Sequence, residues 1–297
     1  MKYKPAHVVE YLLVVMLGGL IRILPLRAGL ALGWLAAAGS HFIGRVHVHR
    51  TQARIRQVFG DGLPEHEVRR IAWLSWRNLC FNAVEGFRFT RLTPEKLRKQ
   101  PIAHMESELQ QIQSECREGF ILATPHMGNW ELAGVAGDLM GFPLFAIVRA
   151  QKNPLINRYI NRMRQTFSLE ILTREGREWR GVTDRIRQGK ILAILPDINA
   201  RRSAVTVDFL NGQATIGAGA AHFARMADCP IYPVVLRRVG WTRHDARLFE
   251  PIRPDPSADR KADQQRIMQE IMSVLSKEIL QTPEQYFWHN KRWVLNR

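Results

Sequence analysis

Short apolar runs alternate with amphipathic stretches from about residue 100 onward, and this alternation limits the choice of fold most strongly. The apolar runs are "GFILAT", "LFAIV", "LEIL", "KILAIL", "AVTVDF" and "IYPVVL". Helical stretches are expected from Asn129, Asn153 and Glu178, across "TIGAGAAHFARMA", and from Ala262 to Leu280. The pattern predicts an α/β protein with a mostly parallel or mixed central sheet flanked by helices.

The first 45 residues form a separate apolar segment. Its uncharged runs are eleven residues long (Tyr11 to Ile21) and sixteen residues long (Ala28 to Ile43), whereas a clean transmembrane helix needs about 20. A tilted span, with Glu10 and Arg22 near its ends, and an embedded hairpin both remain open, as does a buried core helix. We expect an N-terminal helical segment at 1–45 that anchors the protein to a membrane, followed by one catalytic domain at 46–297.

The chain is strongly basic, with a formal net charge of +16. Residues 1–58 hold eight basic side chains and one acidic side chain, and residues 149–202 hold thirteen basic and five acidic ones. Such regions attract phosphates, anionic membrane surfaces or acidic proteins. We expect no nucleic-acid binding, because the arginines are spread along the predicted helices and no reading element is recognisable.

No cofactor site or metal site is expected. The three cysteines are far apart and lack paired metal-binding spacing. The histidines His41, His47 and His49 have arginine neighbours and no nearby thiolate or carboxylate. "GAGAAH" at 217–222 does not match a dinucleotide fingerprint, because His222 occupies the third glycine position.

The stretch "ATPHMGNWELAG" (123–134) carries the chemistry of greatest interest. In one continuous helix His126 and Glu131 would lie about 140° apart, so the histidine is expected before a helix that Asn129 caps. Glu131 could then accept a hydrogen bond from one ring nitrogen and leave the other as a base. Alternatively, His126 caps the helix and Glu131 only complements its dipole.

The nucleophile of a covalent hydrolase is missing. The sequence has no G-x-S-x-G elbow, and none of its cysteines lies in a comparable turn. We therefore expect direct transfer, in which the histidine activates a hydroxyl group of the second substrate.

Five blocks in order resemble the lipid A biosynthesis acyltransferase family, of the lauroyl/myristoyl type within the glycerolipid acyltransferase superfamily. The blocks are "HMGNWELAG" (126–134), "VRAQKNPLINRYINRMR" (148–164), "WRGVTDRIRQGKILAILPD" (179–197), "DFLNGQATIGAGAAHFAR" (208–225) and "PEQYFWHNKRW" (283–293). The sequence departs from the family at Ile198, where a glutamine is usual after Pro-Asp, and at the residues that flank Arg149.

The resemblance implies an O-acyltransferase on the cytoplasmic face of the inner membrane. The donor would be an acyl chain on acyl carrier protein, and the acceptor a hydroxyl of a phosphorylated lipid A precursor or related sugar lipid. His126 and Glu131 match the catalytic dyad. Substrate binding is expected at Arg149, Arg162, Asp197 and Asn129. Coenzyme A as donor, and a lysophospholipid or another glycolipid or aminolipid as acceptor, are the alternatives.

The carboxyl-terminal block is rich in aromatic residues. Its Tyr286, Trp288 and Trp293 are compatible with a lid or membrane-interface belt, and equally with a plug over the core.

Overall fold

The computed structural model describes residues 3–164, 167–173, 181–200 and 203–295. Eleven α-helices are described in these ranges: α1 Pro5–Ile23, α2 Leu26–Ala38, α3 Val48–Phe59, α4 Glu65–Gly86, α5 Pro94–Leu97, α6 His104–Glu115, α7 Trp130–Leu139, α8 Pro154–Arg164, α9 Val182–Arg187, α10 Gly219–Ala227 and α11 Arg260–Gln281. The strands described there are β1 Phe120–Ala123, β2 Leu144–Val148, β3 Glu170–Thr173, β4 Ile191–Ile194, β5 Ala204–Phe209, β6 Gly212–Gly217, β7 Ile231–Val239 and β8 Arg243–Leu248.

The central sheet has the strand order β3-β2-β4-β1-β7-β8. All neighbours in it are parallel except β7 and β8, which form an antiparallel pair at one edge. Helices cover the sheet, and the predicted α/β class is confirmed.

Two local predictions are corrected. The run "AVTVDF" is a strand, but it pairs with β6 in a two-stranded sheet that is separate from the central one. In "TIGAGAAHFARMA" the first three residues belong to β6, and the helix begins at Gly219. The hydrophobic pattern also missed β8, whose sequence "RHDARL" is mostly polar because the strand lies at the sheet edge.

β1 is fully buried because both faces of the sheet are covered. Ile121 and Ala123 belong to one apolar cluster, which includes residues of α10 and α11, whereas Phe120 and Leu122 belong to a second cluster with residues of α6 and α7. Successive side chains of a strand point to opposite faces, so a continuous apolar run is what a central parallel strand requires.

The N-terminal helices α1 and α2 pack against the α/β domain on one side only. The side-chain amide of Asn153 donates to the main-chain oxygen of His7 and to Glu10, and Arg22 Nε donates to the main-chain oxygen of Phe87. The outer side exposes large apolar residues. They include Val9, Leu13, Met16, Leu20, Ile23, Leu35, Phe42 and Ile43.

α1 is the one helix of the described residues that is long and apolar enough to cross a membrane by length and composition. It is mostly exposed, so a place in the core of the domain does not explain its apolar surface.

Candidate active site

Two neighbouring parallel strands end at the same edge of the sheet and deliver the central residues of the site. Ala123 of β1 lies opposite Ile194 of β4, so the third residue after each strand, His126 and Asp197, should be adjacent. A proline precedes each of these residues and fixes the exit of the chain from its strand. This edge is where open α/β sheets bind ligands.

Both carboxylate oxygens of Asp197 bind His126. Oδ1 lies 2.8 Å from the ring Nδ1, and Oδ2 accepts the main-chain N–H at 2.9 Å. The Asp197 side chain is 1% exposed, whereas that of His126 is 19% exposed. A carboxylate at Nδ1 selects the tautomer with the proton on Nδ1, so Nε2 carries the lone pair of a base.

This contact differs from the arrangement expected from the sequence, in which Glu131 binds a ring nitrogen and Asp197 binds substrate. Glu131 lies exposed in the first turn of α7. The cause of the difference is the strand register, which brings the buried Asp197 to Nδ1 from a distant part of the chain. The predicted catalytic role of Glu131 and a substrate contact by Asp197 stay predictions.

The charges around His126 favour its protonated form. Burial alone would lower the pKa of the imidazole, but the charge and hydrogen bond of Asp197 raise it above its ordinary value, with a smaller contribution from Glu131. The imidazolium that forms when the ring accepts a proton is therefore stabilised.

A tight turn connects His126 to α7. Gly128 has a φ of +58°, and a Cβ at this position would lie 2.0 Å from the main-chain oxygen of Leu236. Only glycine fits so close to another main chain. Asn129 then caps α7, as predicted, because its Oδ1 accepts the N–H of Leu132 at 3.1 Å.

A buried ionic network holds this turn from behind. Glu85 accepts hydrogen bonds from both terminal nitrogens of Arg238, from His244 Nε2 and from the side-chain amide of Asn129. Burial would raise the pKa of Glu85, but the hydrogen bonds from His244 and Arg238 lower it to about 2. Asn82 joins Arg238 to the turn, since its side chain accepts from that guanidinium and donates to the main-chain oxygen of Gly128.

Sequence reasoning missed this network, because its members lie in α4, α7, β7 and β8. The indication in the sequence is a glutamate in the last turn of α4, on a helix face that is mostly apolar but also carries Ser75 and Asn78. The Asn129 side chain is buried and bonded at both ends, so the structure supports a capping role, and a contact with substrate stays a prediction.

The carboxyl-terminal segment closes one side of the site. The main-chain N–H of Phe287 donates to the main-chain oxygen of His126 at 2.8 Å, and the Phe287 ring lies 5.6 Å from that of Trp130. The ring of His126 is 5.1 Å from Trp130, so aromatic surfaces flank the imidazole. Tyr286 is buried, and burial, together with the nearby Asp197 carboxylate, raises the pKa of its phenol well above the ordinary value.

Beyond Phe287 the segment is a core plug rather than a lid. Trp288 is fully buried, and its main-chain oxygen accepts from Arg54 at 2.5 Å. The ring of His289 lies between Thr51 and Ser75, at 2.8 Å and 2.9 Å, and burial with nearby cations lowers its pKa to about 3. This histidine is therefore neutral at physiological pH.

The two predicted arginines lie on exposed positions. Arg149 follows β2, which is parallel to the neighbouring β4, so it lies at the same edge of the sheet as Asp197, and Arg162 lies in α8 beside α1. Their roles in binding substrate stay predictions.

Cys80 and Cys229 do not supply a nucleophile. Burial raises the pKa of Cys80 to about 11, and burial together with nearby acidic groups raises that of Cys229 to about 12, so both thiols are protonated. Within the described ranges, no group of three or more His, Cys, Asp or Glu side chains is arranged to hold a metal ion.

The geometry is that of a general base. An imidazole oriented by a buried carboxylate stands before the first turn of a helix, whose initial N–H groups lack intrahelical acceptors and can stabilise a developing oxyanion.

Comparison with known proteins agrees with this geometry. Residues 2–294 match the profile of the family described as bacterial lipid A biosynthesis acyltransferase. The chain is similar to a phosphatidylinositol mannoside acyltransferase of Mycolicibacterium smegmatis, with 26% identity over 50% of each chain. It is also similar to a protein with the same description from Mycobacterium tuberculosis, with 27% identity over 39% of this chain and 37% of the relative. The matched region thus spans about half, or less, of these curated relatives.

Proposed function

The chain belongs to the bacterial lipid A biosynthesis acyltransferase family, and from this premise we propose that it moves a fatty acyl chain from a thioester donor to a hydroxyl of a membrane sugar lipid. The observation that carries the proposal is the His126–Asp197 pair at the strand exit. It provides an oriented general base, and among the described residues the side chains that contact the imidazole, Asp197, Trp130 and Phe287, include no serine or cysteine.

In the proposed reaction, His126 Nε2 takes the proton of the acceptor hydroxyl as its oxygen attacks the thioester carbonyl. The tetrahedral intermediate places negative charge on the former carbonyl oxygen, near the first N–H groups of α7. When the carbon–sulfur bond breaks, the imidazolium returns the proton to the leaving thiolate. Asp197 stabilises the imidazolium between these two steps, and Glu131 adds a second negative charge nearby.

Acyl carrier protein is the proposed donor, with coenzyme A as the alternative. Acyl carrier proteins are acidic, and the net charge of +16 supports recognition of an acidic partner. Coenzyme A also carries phosphates, so charge does not separate the two donors.

A phosphorylated lipid A precursor is the leading acceptor, because the family profile covers nearly the whole chain. The mannoside acyltransferase descriptions of the relatives favour a second candidate, a phosphoinositol glycolipid or a similar sugar lipid. Both candidates present a sugar-linked hydroxyl beside a phosphate on a lipid anchor.

The proposed location is the cytoplasmic face of the inner membrane. The exposed apolar surface of α1 and α2 lies beside basic residues, including Arg27 and Arg45. An apolar surface flanked by cations suits a bilayer with anionic lipids.

Mass spectrometry of total lipids from strains with and without the protein tests the function. One mass increment that depends on the protein would identify both acyl group and acceptor. The purified His126→Ala variant should retain its fold, measured by circular dichroism, and lose transfer of a labelled acyl group. Near-normal transfer by this variant would refute the proposal, and Glu131→Ala tests the predicted role of the second acid in the same assay.

A further inference from the structure

A cavity of about 290 Å³ lies between the start of α2, α7 and the start of β8. Its walls come from Leu26 of α2, the end of α4 and the residues that follow it, and the start of β8. Leu132 of α7 is also part of the wall, and the walls formed by described residues do not include His126.

Three cations meet in this cavity: Arg88, Arg91 and Lys96. Arg88 donates to main-chain oxygens at the end of α1, and Lys96 Nζ donates to the main-chain oxygen of Arg91 at 2.6 Å. Burial and the charge of Arg91 lower the pKa of Arg88, so the guanidinium groups are close enough to repel. An anion between them would relieve this repulsion.

The acid in the wall, Glu85, does not balance these cations, because both of its oxygens already accept hydrogen bonds from Arg238.

The remaining walls are apolar and include Leu26, Phe89 and Leu92. Leu26 starts α2, three residues after Ile23, the exposed apolar end of α1, so the cavity adjoins the surface assigned to the membrane. A ligand with an anionic head and an apolar chain would fit both the cationic part and the apolar part of this cavity.

We propose that this cavity binds the phosphate of an anionic membrane lipid, with the first part of the lipid chain against the apolar wall. The inference rests on the membrane location in the proposed function, but not on acyl transfer.

Isothermal titration of the full chain in nonionic detergent tests the inference. The probes are dihexanoyl phosphatidic acid, dihexanoyl phosphatidylcholine and inorganic phosphate. The test variant is Arg91→Gln with Lys96→Gln, and the single Arg91→Gln variant covers a failure of the double variant to fold. The matched control is Arg69→Gln with Lys99→Gln, which removes the same charge from exposed positions outside the cavity.

Phosphatidic acid should bind at least about tenfold more tightly than phosphatidylcholine. The cavity variants should weaken its binding, by at least about tenfold in the double variant, whereas the control should stay within about twofold. Binding by His126→Ala should equal that of the parent protein, which separates this site from the catalytic one.

Equal binding of the two lipids would overturn the inference, as would equal losses in the cavity and control variants. If inorganic phosphate binds as tightly as phosphatidic acid, the site recognises a free anion and the lipid assignment is wrong. If His126→Ala loses binding, the lipid occupies the active site instead.

Discussion

Asp197→Asn should reduce acyl transfer by about 10³- to 10⁴-fold, which corresponds to about 4 to 5.5 kcal/mol of transition-state stabilisation. The two contacts of the carboxylate explain the size of the effect. One oxygen accepts the main-chain N–H of His126, and the other accepts the ring Nδ1–H. An asparagine has only one acceptor oxygen and cannot replace both.

If the asparagine oxygen keeps the main-chain N–H, its NH₂ group faces the ring and donates to Nδ1. The proton of the neutral imidazole then moves to Nε2, and the base faces the wrong way. If the oxygen faces the ring instead, the NH₂ group meets the main-chain N–H, and two donors oppose each other. The first arrangement is less costly, and it removes the catalytic tautomer.

The pH dependence provides a second readout. In the parent protein, kcat/KM should rise with pH along a limb whose apparent pKa lies above the ordinary histidine value of about 6.5, because only neutral His126 acts as a base. Loss of the Asp197 charge lowers the pKa of the ring. The limb of the residual activity should therefore move to lower pH in the asparagine variant.

The assay is the initial rate of labelled acyl transfer by purified protein from pH 5 to 9, with thermal unfolding as a check of the fold. Asp184→Asn is the matched control on an exposed site, and it should stay within about twofold of the parent rate. A rate above about a tenth of the parent rate in Asp197→Asn would contradict this role of the carboxylate. If Glu131→Gln instead causes the larger loss, the exposed acid of α7 is the one that orients the ring.

Three further changes test the supports of the site, each by chemical denaturation followed by tryptophan fluorescence. Gly128→Ala should lower the free energy of unfolding by at least about 3 kcal/mol, because its Cβ would overlap a main-chain oxygen. The control Gly19→Ala, which has open space around its Cβ, should leave the free energy of unfolding unchanged or raise it slightly. Glu85→Gln should cost about 3 to 5 kcal/mol by leaving Arg238 buried without its counter-charge. In the parent protein, stability from this pair should be present above about pH 4.3 and fall towards pH 2, because the folded pKa is depressed. Tyr286→Phe should lower the free energy of unfolding by about 1 kcal/mol, because it removes the interaction of a buried hydroxyl with the Asp197 carboxylate. Changes below about 0.3 kcal/mol in these core variants would contradict the contacts.

The local structure around the histidine was predictable because short-range interactions determine it. Pro125 lies just after the end of β1, and Asn129 caps the N-terminus of α7, as its side-chain type indicates. The same reasoning identified the buried strands of the sheet, because apolar runs bounded by turn residues are typical of parallel strands. It failed at β8, because an edge strand carries no such apolar run.

The amino-acid sequence by itself determined the fold class, the helix that follows the histidine and the residue types available for catalysis, because each depends on neighbours within a few positions. Only the tertiary structure decided which acid binds the imidazole. Asp197 lies 71 positions from His126, and the two meet because β1 and β4 are adjacent and in a particular register. The contacts of Glu85 with Asn129 and Arg238 likewise depend on how α4 packs behind the sheet edge, which no local pattern specifies.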